Sequence, residues 1–212
     1  WDESLYIVIS QRWLAGGVPY VAVWDQHPMG LPAIFMGAMW LIGDGLLAVR
    51  AAAFLAVTGT AVLLGYALIR FARAPWAGVL AGVLYLFYMS RPEGLAANTE
   101  VFNNFIVTLA SLMMFSRIHG PDRSLSDLGM LGVGLLFGIG LQVKYVVIPE
   151  AIILCLATLI YDQYRTRNFY RTARLATVTM LGGILPTVLM TLYFWQAGAL
   201  RPYLDANLRA NI

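Results

Sequence analysis

The sequence predicts an all-α, polytopic helical membrane protein. Three observations carry that prediction. Hydrophobic residues make up 60% of the chain and charged residues 12%. Mean hydropathy is +0.72. Several apolar runs are long enough to cross a hydrocarbon core of about 30 Å. The formal net charge of +3 reports arginine placement and topology before it reports an anionic partner, so nucleic acid is not indicated. Cys155 is the single cysteine and lies in an apolar run, which leaves no intrachain disulfide and no thiolate metal site.

The elements follow in chain order. No charged n-region precedes an apolar stretch, so no signal peptide is expected. The chain starts at Trp1 rather than Met and stops in polar sequence at Leu208–Ile212. It therefore reads as a piece of a longer protein, with at least one spanning helix expected before Trp1. Leu5, Ile9 and Trp13 share a helical face, and Gly16-Gly17 follow. A short interfacial helix is expected there, starting behind Asp2-Glu3 and stopping at the glycines. Trp13, Tyr20, Trp24 and Trp40 read as an aromatic belt.

Leu31–Ile42 is shorter than a spanning helix, carries Pro32 near its start and runs into Gly43-Asp44-Gly45, so it is expected to be interfacial or re-entrant. Six runs are then expected to span, near Val49–Ile69, Pro75–Ser90, Thr99–Phe115, Leu128–Val143, Tyr145–Tyr161 and Leu175–Trp195. This divides the chain into a first outer loop with interfacial helices (1–48), a six-helix transmembrane bundle (49–195) and the start of a further outer segment (196–212). Gly78/Gly82 and Gly134/Gly138 are spaced for close helix approach. Pro149 and Glu150 are expected a turn or more inside the helix that follows Lys144, with a proline kink. His119 belongs to a solvated loop. No fixed-period repeat or low-complexity linker interrupts the chain.

Charge placement orients the bundle. If Leu31–Ile42 crossed, Arg70, Arg73, Arg117, Arg123, Arg165, Arg167, Arg171 and Arg174 would lie outside, against the positive-inside rule. With that segment in the interface they all become cytoplasmic, beside Asp122, Asp127 and Asp162. Trp1–Arg50, the Arg91–Asn98 loop, the Val143–Tyr145 connection and the tail from Gln196 then face outward.

Ionisable residues beside lipid-spanning segments are costly and therefore mark function by default. Asp2, Glu3, Asp25, His27, Arg50, Glu100 and Lys144 all fall on the outer side in this topology. A one-sided polar site fits an enzyme or receptor at the outer leaflet. It does not fit a pore, which needs polar groups at mid-depth and on both faces. Plainer readings stand beside this one. Asp2-Glu3 and Glu100 also suit helix N-termini as dipole partners, and Lys144 could snorkel from a helix end. Asp25 and His27 form a weak metal signature, which leaves a divalent ion open.

These residues resemble a family. Asp2-Glu3, then Tyr6, Gly16-Gly17-Val18-Pro19-Tyr20 and Asp25-Gln26-His27-Pro28 before a short apolar helix are similar to the first outer loop of GT-C glycosyltransferases. The branch is that of the protein O-mannosyltransferases and aminoarabinose lipid A transferases, with Met29 where the family has a second proline. Arg50 at the start of the next helix, Glu100 in Asn98-Thr99-Glu100-Val101-Phe102 and Lys144 after Gly138-Ile139-Gly140-Leu141-Gln142-Val143 extend the resemblance over nearly the whole chain.

The resemblance implies a GT-C-like bundle in a bacterial inner membrane. It implies inverting transfer of a sugar from a polyprenyl-phosphate donor to an acceptor glycan, lipid or protein at the extracytoplasmic face. No cofactor is required for that displacement. Asp2 would be the general base, Glu3 would orient it or the acceptor, and Glu100 would be a further catalytic-site carboxylate that contacts the donor sugar or acceptor or helps hold a divalent ion with Asp2. Lys144 and Arg50 would hold the donor phosphate, and Asp25, His27 and Asn98 would bind substrate. The set divides into an acidic acceptor side (Asp2, Glu3, Glu100) and a cationic donor side (Lys144, Arg50). A lipid-linked-substrate transporter or flippase, and a non-catalytic subunit of a larger membrane complex, are the alternatives.

Overall fold

A computed structural model describes residues 2–91, 96–119 and 126–210, with the side chain of Asp2 outside the described set. The elements among them are helices: α1 (Asp2–Leu14), α2 (Gly30–Ile42), α3 (Leu46–Phe71), α4 (Pro75–Met89), α5 (Thr99–His119), α6 (Asp127–Val143), α7 (Val147–Thr166), α8 (Phe169–Gln196) and α9 (Leu200–Leu204). A π-helical turn, Asp205–Arg209, continues α9.

Local chemistry explains the boundaries. α1 ends where Gly16 adopts φ +87°, and the α2–α3 connection runs through Gly43 and Gly45 at φ +121° and +119°, a region open to glycine because it has no Cβ. Pro75 occupies the first turn of α4, where its missing N–H has no helical partner to lose. Ser126 caps α6 by accepting from Gly129 N at 3.1 Å, and Asn168 caps α8 by accepting from Arg171 N at 3.0 Å.

Four helices, α3, α5, α7 and α8, are long and apolar enough to cross a membrane. The other two expected spans, Pro75–Ser90 and Leu128–Val143, form helices within one residue of those bounds but below that length. α4 has 15 residues and α6 has 17, so α4 rises only about 22 Å. Pro75 and the turn after Met89 delimit α4, while the Ser126 cap and the extended backbone at Lys144 delimit α6. α2 is likewise short and turns one face inward. Leu31, Phe35 and Met39 are buried against α1 and α3, while Trp40 and Leu41 are exposed.

Small residues let the helices touch backbone to backbone. A Cβ on Gly78 would lie 2.6 Å from the Gly65 carbonyl oxygen, joining α4 to α3. α6 packs most extensively on α8, where a Cβ on Gly134 or Gly138 would overlap the carbonyls of Thr179 or Gly183. Both glycine pairs thus work as their spacing predicts.

Two expectations are corrected. The helix after Lys144 begins at Val147, so Pro149 sits in its first turn, where no hydrogen bond is lost and no kink is required. The proline within a helix is Pro186 of α8. The aromatic belt also divides. Trp13 donates to the Tyr193 hydroxyl at 2.7 Å, and Tyr20 is buried against Phe194 and Tyr203. Trp24 and Trp40 are exposed.

The two ends of the bundle differ chemically. At one end Arg171 pairs with Asp162 and Arg174 with Asp127, each at 3.3 Å, and His119, the last residue of α5, stacks on Phe115 and meets Phe71 at a tilt. The other end gathers α1, the start of α5, the α6–α7 connection and the segment after α8, tied by the polar contacts described next.

Candidate active site

The first turn of α1 and the start of α5 meet through one carboxylate. Glu3 Oε2 accepts from Arg50 at 3.1 Å, and its Oε1 accepts from the Ala97 backbone N–H at 3.3 Å. The Glu3 side chain is 16% exposed and that of Arg50 41%. This single residue therefore fixes α1, the start of α3 and the strand of chain that leads into α5. Glu3 and Tyr6, three apart on α1, share a helical face, so Tyr6 is aimed at the same region.

Asn98, Thr99 and Glu100, which follow the Ala97 anchor, line a polar cavity of about 270 Å³ together with Tyr6, His27 and Lys144. Lys144 Nζ donates to Glu100 Oε1 at 2.6 Å, and Thr99 Oγ1 donates to Glu100 Oε2 at 3.1 Å. Lys144 is itself set by the end of α6, its N–H bonding to the Gly140 carbonyl at 2.9 Å. Both members of the Glu100–Lys144 pair are well exposed, at 56% and 38%. Such a pair contributes little to stability.

His27 enters from the α1–α2 loop. Its Nδ1 lies 3.0 Å from Asp25 Oδ1, which also accepts from Gln26 N at 2.8 Å. Asp25 is buried, so its role in the fold is to orient the ring, whose edge meets Tyr6. With Nδ1 taken by Asp25, Nε2 is the ring nitrogen not engaged by that carboxylate, and His27 lines the cavity.

A hydrogen-bond chain from the segment after α8 braces the same loop. The Tyr145 hydroxyl donates to Asn207 Oδ1 at 2.7 Å, Asn207 Nδ2 donates to the Tyr20 hydroxyl at 2.8 Å, and Tyr20 donates to the His27 carbonyl at 2.9 Å. Burial pushes the Tyr145 phenol up to about 12, with the neighbouring Tyr203 adding to the shift. Burial also raises Tyr20 far above the ordinary phenol value, against the opposing hydrogen bond from Asn207. Both hydroxyls therefore stay protonated at neutral pH and keep the direction of the chain.

Glu100, Lys144, His27 and Asn98 thus converge on one cavity, with Asp25 behind His27 and Glu3–Arg50 adjoining through Ala97. Asp2, the expected base, lies outside the described residues by its side chain, while its backbone opens α1 one position before Glu3. The expected separation into acidic and cationic sides is corrected. Each cation is bonded to an acid from a distant part of the chain, Arg50 to Glu3 and Lys144 to Glu100, because at a membrane surface opposite charges are less costly together than apart. Among the described residues no group of three or more His, Cys, Asp or Glu side chains could hold a metal ion. Sequence reasoning did not single out Thr99, Tyr145 or Asn207. Thr99 was legible as the neighbour of Glu100, whereas Asn207 follows from tertiary packing alone.

Gly30 is where the start of α2 packs backbone to backbone on the end of α6. A Cβ there would run into the carbonyl group of Gln142 and lie 2.7 Å from Val143 N, just before Lys144. Gly30→Ala is expected to push α2 away from α6, lowering stability by about 1–3 kcal/mol and weakening any activity that depends on His27 facing Lys144. Thermal unfolding and turnover of the purified variant check this, and a variant with wild-type values for both refutes it.

A family profile described as dolichyl-phosphate-mannose-protein mannosyltransferase matches residues 26–195. No curated protein matches the chain, and no solved structure does. The matched span contains His27, Arg50, Asn98, Glu100 and Lys144, and leaves Asp2, Glu3 and Asp25 just before it. Four helices able to cross a membrane, a polar cavity at one end of an apolar bundle and a match over well over half of the residues agree. The chain belongs to the dolichyl-phosphate-mannose-protein mannosyltransferase family and is an integral membrane glycosyltransferase of the GT-C type.

Proposed function

We propose that the protein transfers a sugar from a polyprenyl-phosphate donor to an acceptor hydroxyl at the extracytoplasmic face of a bacterial inner membrane. The observation that carries this reading is the polar cavity in which a surface-exposed Glu100–Lys144 pair faces His27 and Asn98 at one end of an apolar bundle. The arginine-rich opposite end supports the orientation. The acceptor is a glycan, a lipid or a protein, and the outer loop 1–48 and the segment from 196 onward frame the site above the bundle.

The chemistry is an inverting displacement. The acceptor oxygen bonds to the anomeric carbon as the bond from that carbon to the phosphate oxygen breaks. Asp2 takes the acceptor proton, and the electron pair leaves on the lipid phosphate. Lys144 exchanges Glu100 for that phosphate and stabilises its growing charge, with Arg50 as a second cation. Glu3, bonded to Arg50 and to Ala97 N, holds the first turn of α1 beside the cavity. The displacement as written draws its positive charge from Lys144 and Arg50 and needs no metal.

The test is a transfer assay with the protein in lipid vesicles. Polyprenyl-phosphate mannose, glucose and aminoarabinose are supplied in parallel with nucleotide sugars, and polyprenyl phosphate release is followed. Release from a lipid donor is expected. Consumption of a nucleotide sugar instead, or no release from any lipid donor, overturns the reading.

A further inference from the structure

Asn103 is a buried amide with nothing to bond. It is 4% exposed, and neither its Nδ2 nor its Oδ1 finds a hydrogen-bond partner among the described residues. Burying an amide unpaired is costly, and interiors seldom tolerate it without a function.

Its position is informative. On α5 Asn103 stands three residues after Glu100, so the two share a face. Across the interface with α6, a Cβ on Gly140 would lie 3.5 Å from Asn103 Oδ1, and Gly140 stands one turn before Lys144. By both helices, Asn103 therefore sits one turn beneath the Glu100–Lys144 ion pair. The other groups near a Cβ at Gly140 are apolar, Val147 Cγ2 at 3.2 Å and Ile106 Cγ2 at 3.4 Å. Beside Gly140 the amide is thus flanked by apolar side chains, one turn below residues that line the cavity.

We infer that Asn103 is a specificity-determining contact for the donor sugar. When Lys144 leaves Glu100 for the lipid phosphate, the cavity deepens by one turn and the amide pairs with a hydroxyl of the sugar attached to that phosphate. An amide carries both a donor and an acceptor, which matches a hydroxyl that can give and take a hydrogen bond. Among the described residues the amide has no partner, so sugar binding would satisfy a group that the fold leaves unsatisfied. A site built to bond a hydroxyl rejects ligands that lack it. This inference rests on the polyprenyl-phosphate reading above.

The experiment measures binding of two lipids, undecaprenyl phosphate and undecaprenyl-phosphate mannose, to the full protein in detergent, together with thermal unfolding of the ligand-free protein. The wild type is expected to prefer the sugar-bearing lipid. Asn103→Leu is expected to keep its affinity for the bare lipid, lose about tenfold for the mannosylated one, and unfold at a higher temperature because an orphaned polar group is gone. Asn103→Ala, which only removes atoms, guards against misfitting of leucine and is expected to reproduce the loss of discrimination.

Lys144→Ala separates the two levels of the argument, since it should weaken both lipids alike. If Lys144→Ala weakens both while the Asn103 variants discriminate as wild type does, the inference falls and the phosphate reading stands. If the wild type binds neither lipid, both fall. Asn103 variants that bind both lipids normally and unfold at a lower temperature assign the amide to a buried structural water and overturn the inference.

Discussion

Replacing Lys144 by alanine is expected to lower turnover of a polyprenyl-phosphate sugar by about 10²–10³-fold, the usual cost of removing one charge-stabilising group from a transition state. The structure makes this a clean substitution. Lys144 lies at the joint of α6 and α7 in extended backbone, and its side chain touches Glu100 at the mouth of the cavity. With Glu100 56% exposed, the carboxylate left behind is hydrated and the fold is expected to hold. Lys144→Arg keeps the charge but replaces a compact ammonium with a planar fork, and is expected to recover part of the rate. Steady-state kinetics with a lipid donor, alongside thermal unfolding, check both parts. Wild-type turnover in Lys144→Ala would remove the lysine from the site.

The Asp2-Glu3 pair is expected to divide sharply on substitution. A general base needs a carboxylate oxygen free to meet the acceptor proton. Glu3 has both oxygens engaged, one by Arg50 and one by Ala97 N–H, and is largely buried. In the proposed mechanism Glu3 is therefore architectural, and Asp2 beside it carries the proton. Asp2→Asn is therefore expected to cost about 10²–10⁴-fold in kcat with donor KM little changed. Glu3→Gln keeps an oxygen for Ala97 N–H and loses only the Arg50 ion pair, so it is expected to cost a few-fold in rate and a small drop in thermal midpoint. Parallel kinetics of the two variants decide the matter. A Glu3→Gln effect as large as that of Asp2→Asn would overturn this assignment.

Much of the architecture was legible because lipid solvent simplifies the rules. A helix is the solution for an apolar run that must satisfy its own backbone, so runs such as Val49–Ile69 and Leu175–Trp195 foretell α3 and α8. Gly16-Gly17 and Gly43-Asp44-Gly45 foretell where α1 and α2 stop. The extent of α4 was also legible, since Pro75 marks its start and the polar Ser90-Arg91 its end. The prediction of a kink at Pro149 failed because the start of α7 at Val147 depends on how the chain leaves Lys144, a matter of two residues.

The candidate site was legible residue by residue and illegible as a network. Glu100, Lys144, His27 and Asn98 stand out as polar residues beside apolar runs, and each lines the cavity. Their pairing does not follow from spacing. Glu3 meets Arg50 across 47 positions and Lys144 meets Glu100 across 44, and Asn207 reaches Tyr20 across 187. Asn103 is the sharpest case. In sequence it is one of two adjacent asparagines in an apolar helix, and only burial distinguishes it from Asn104, which lies beside Tyr85.

The sequence by itself determined the solvent, the helical class, the clustering of rare charges at one end and the family. The first three follow from hydrophobicity and charge, which are properties of single residues and of their near neighbours, and the family follows from the resemblance of an ordered set of short motifs. Only the tertiary structure decided that acids and cations interleave in pairs, that Glu3 is committed to the scaffold, and that an unpaired amide lies beneath the Glu100–Lys144 bridge. Those depend on distances between residues far apart in the chain. Such distances are set by glycine-lined contacts such as those of Gly30 with the end of α6 and Gly134 with α8, where backbones meet without side chains between them.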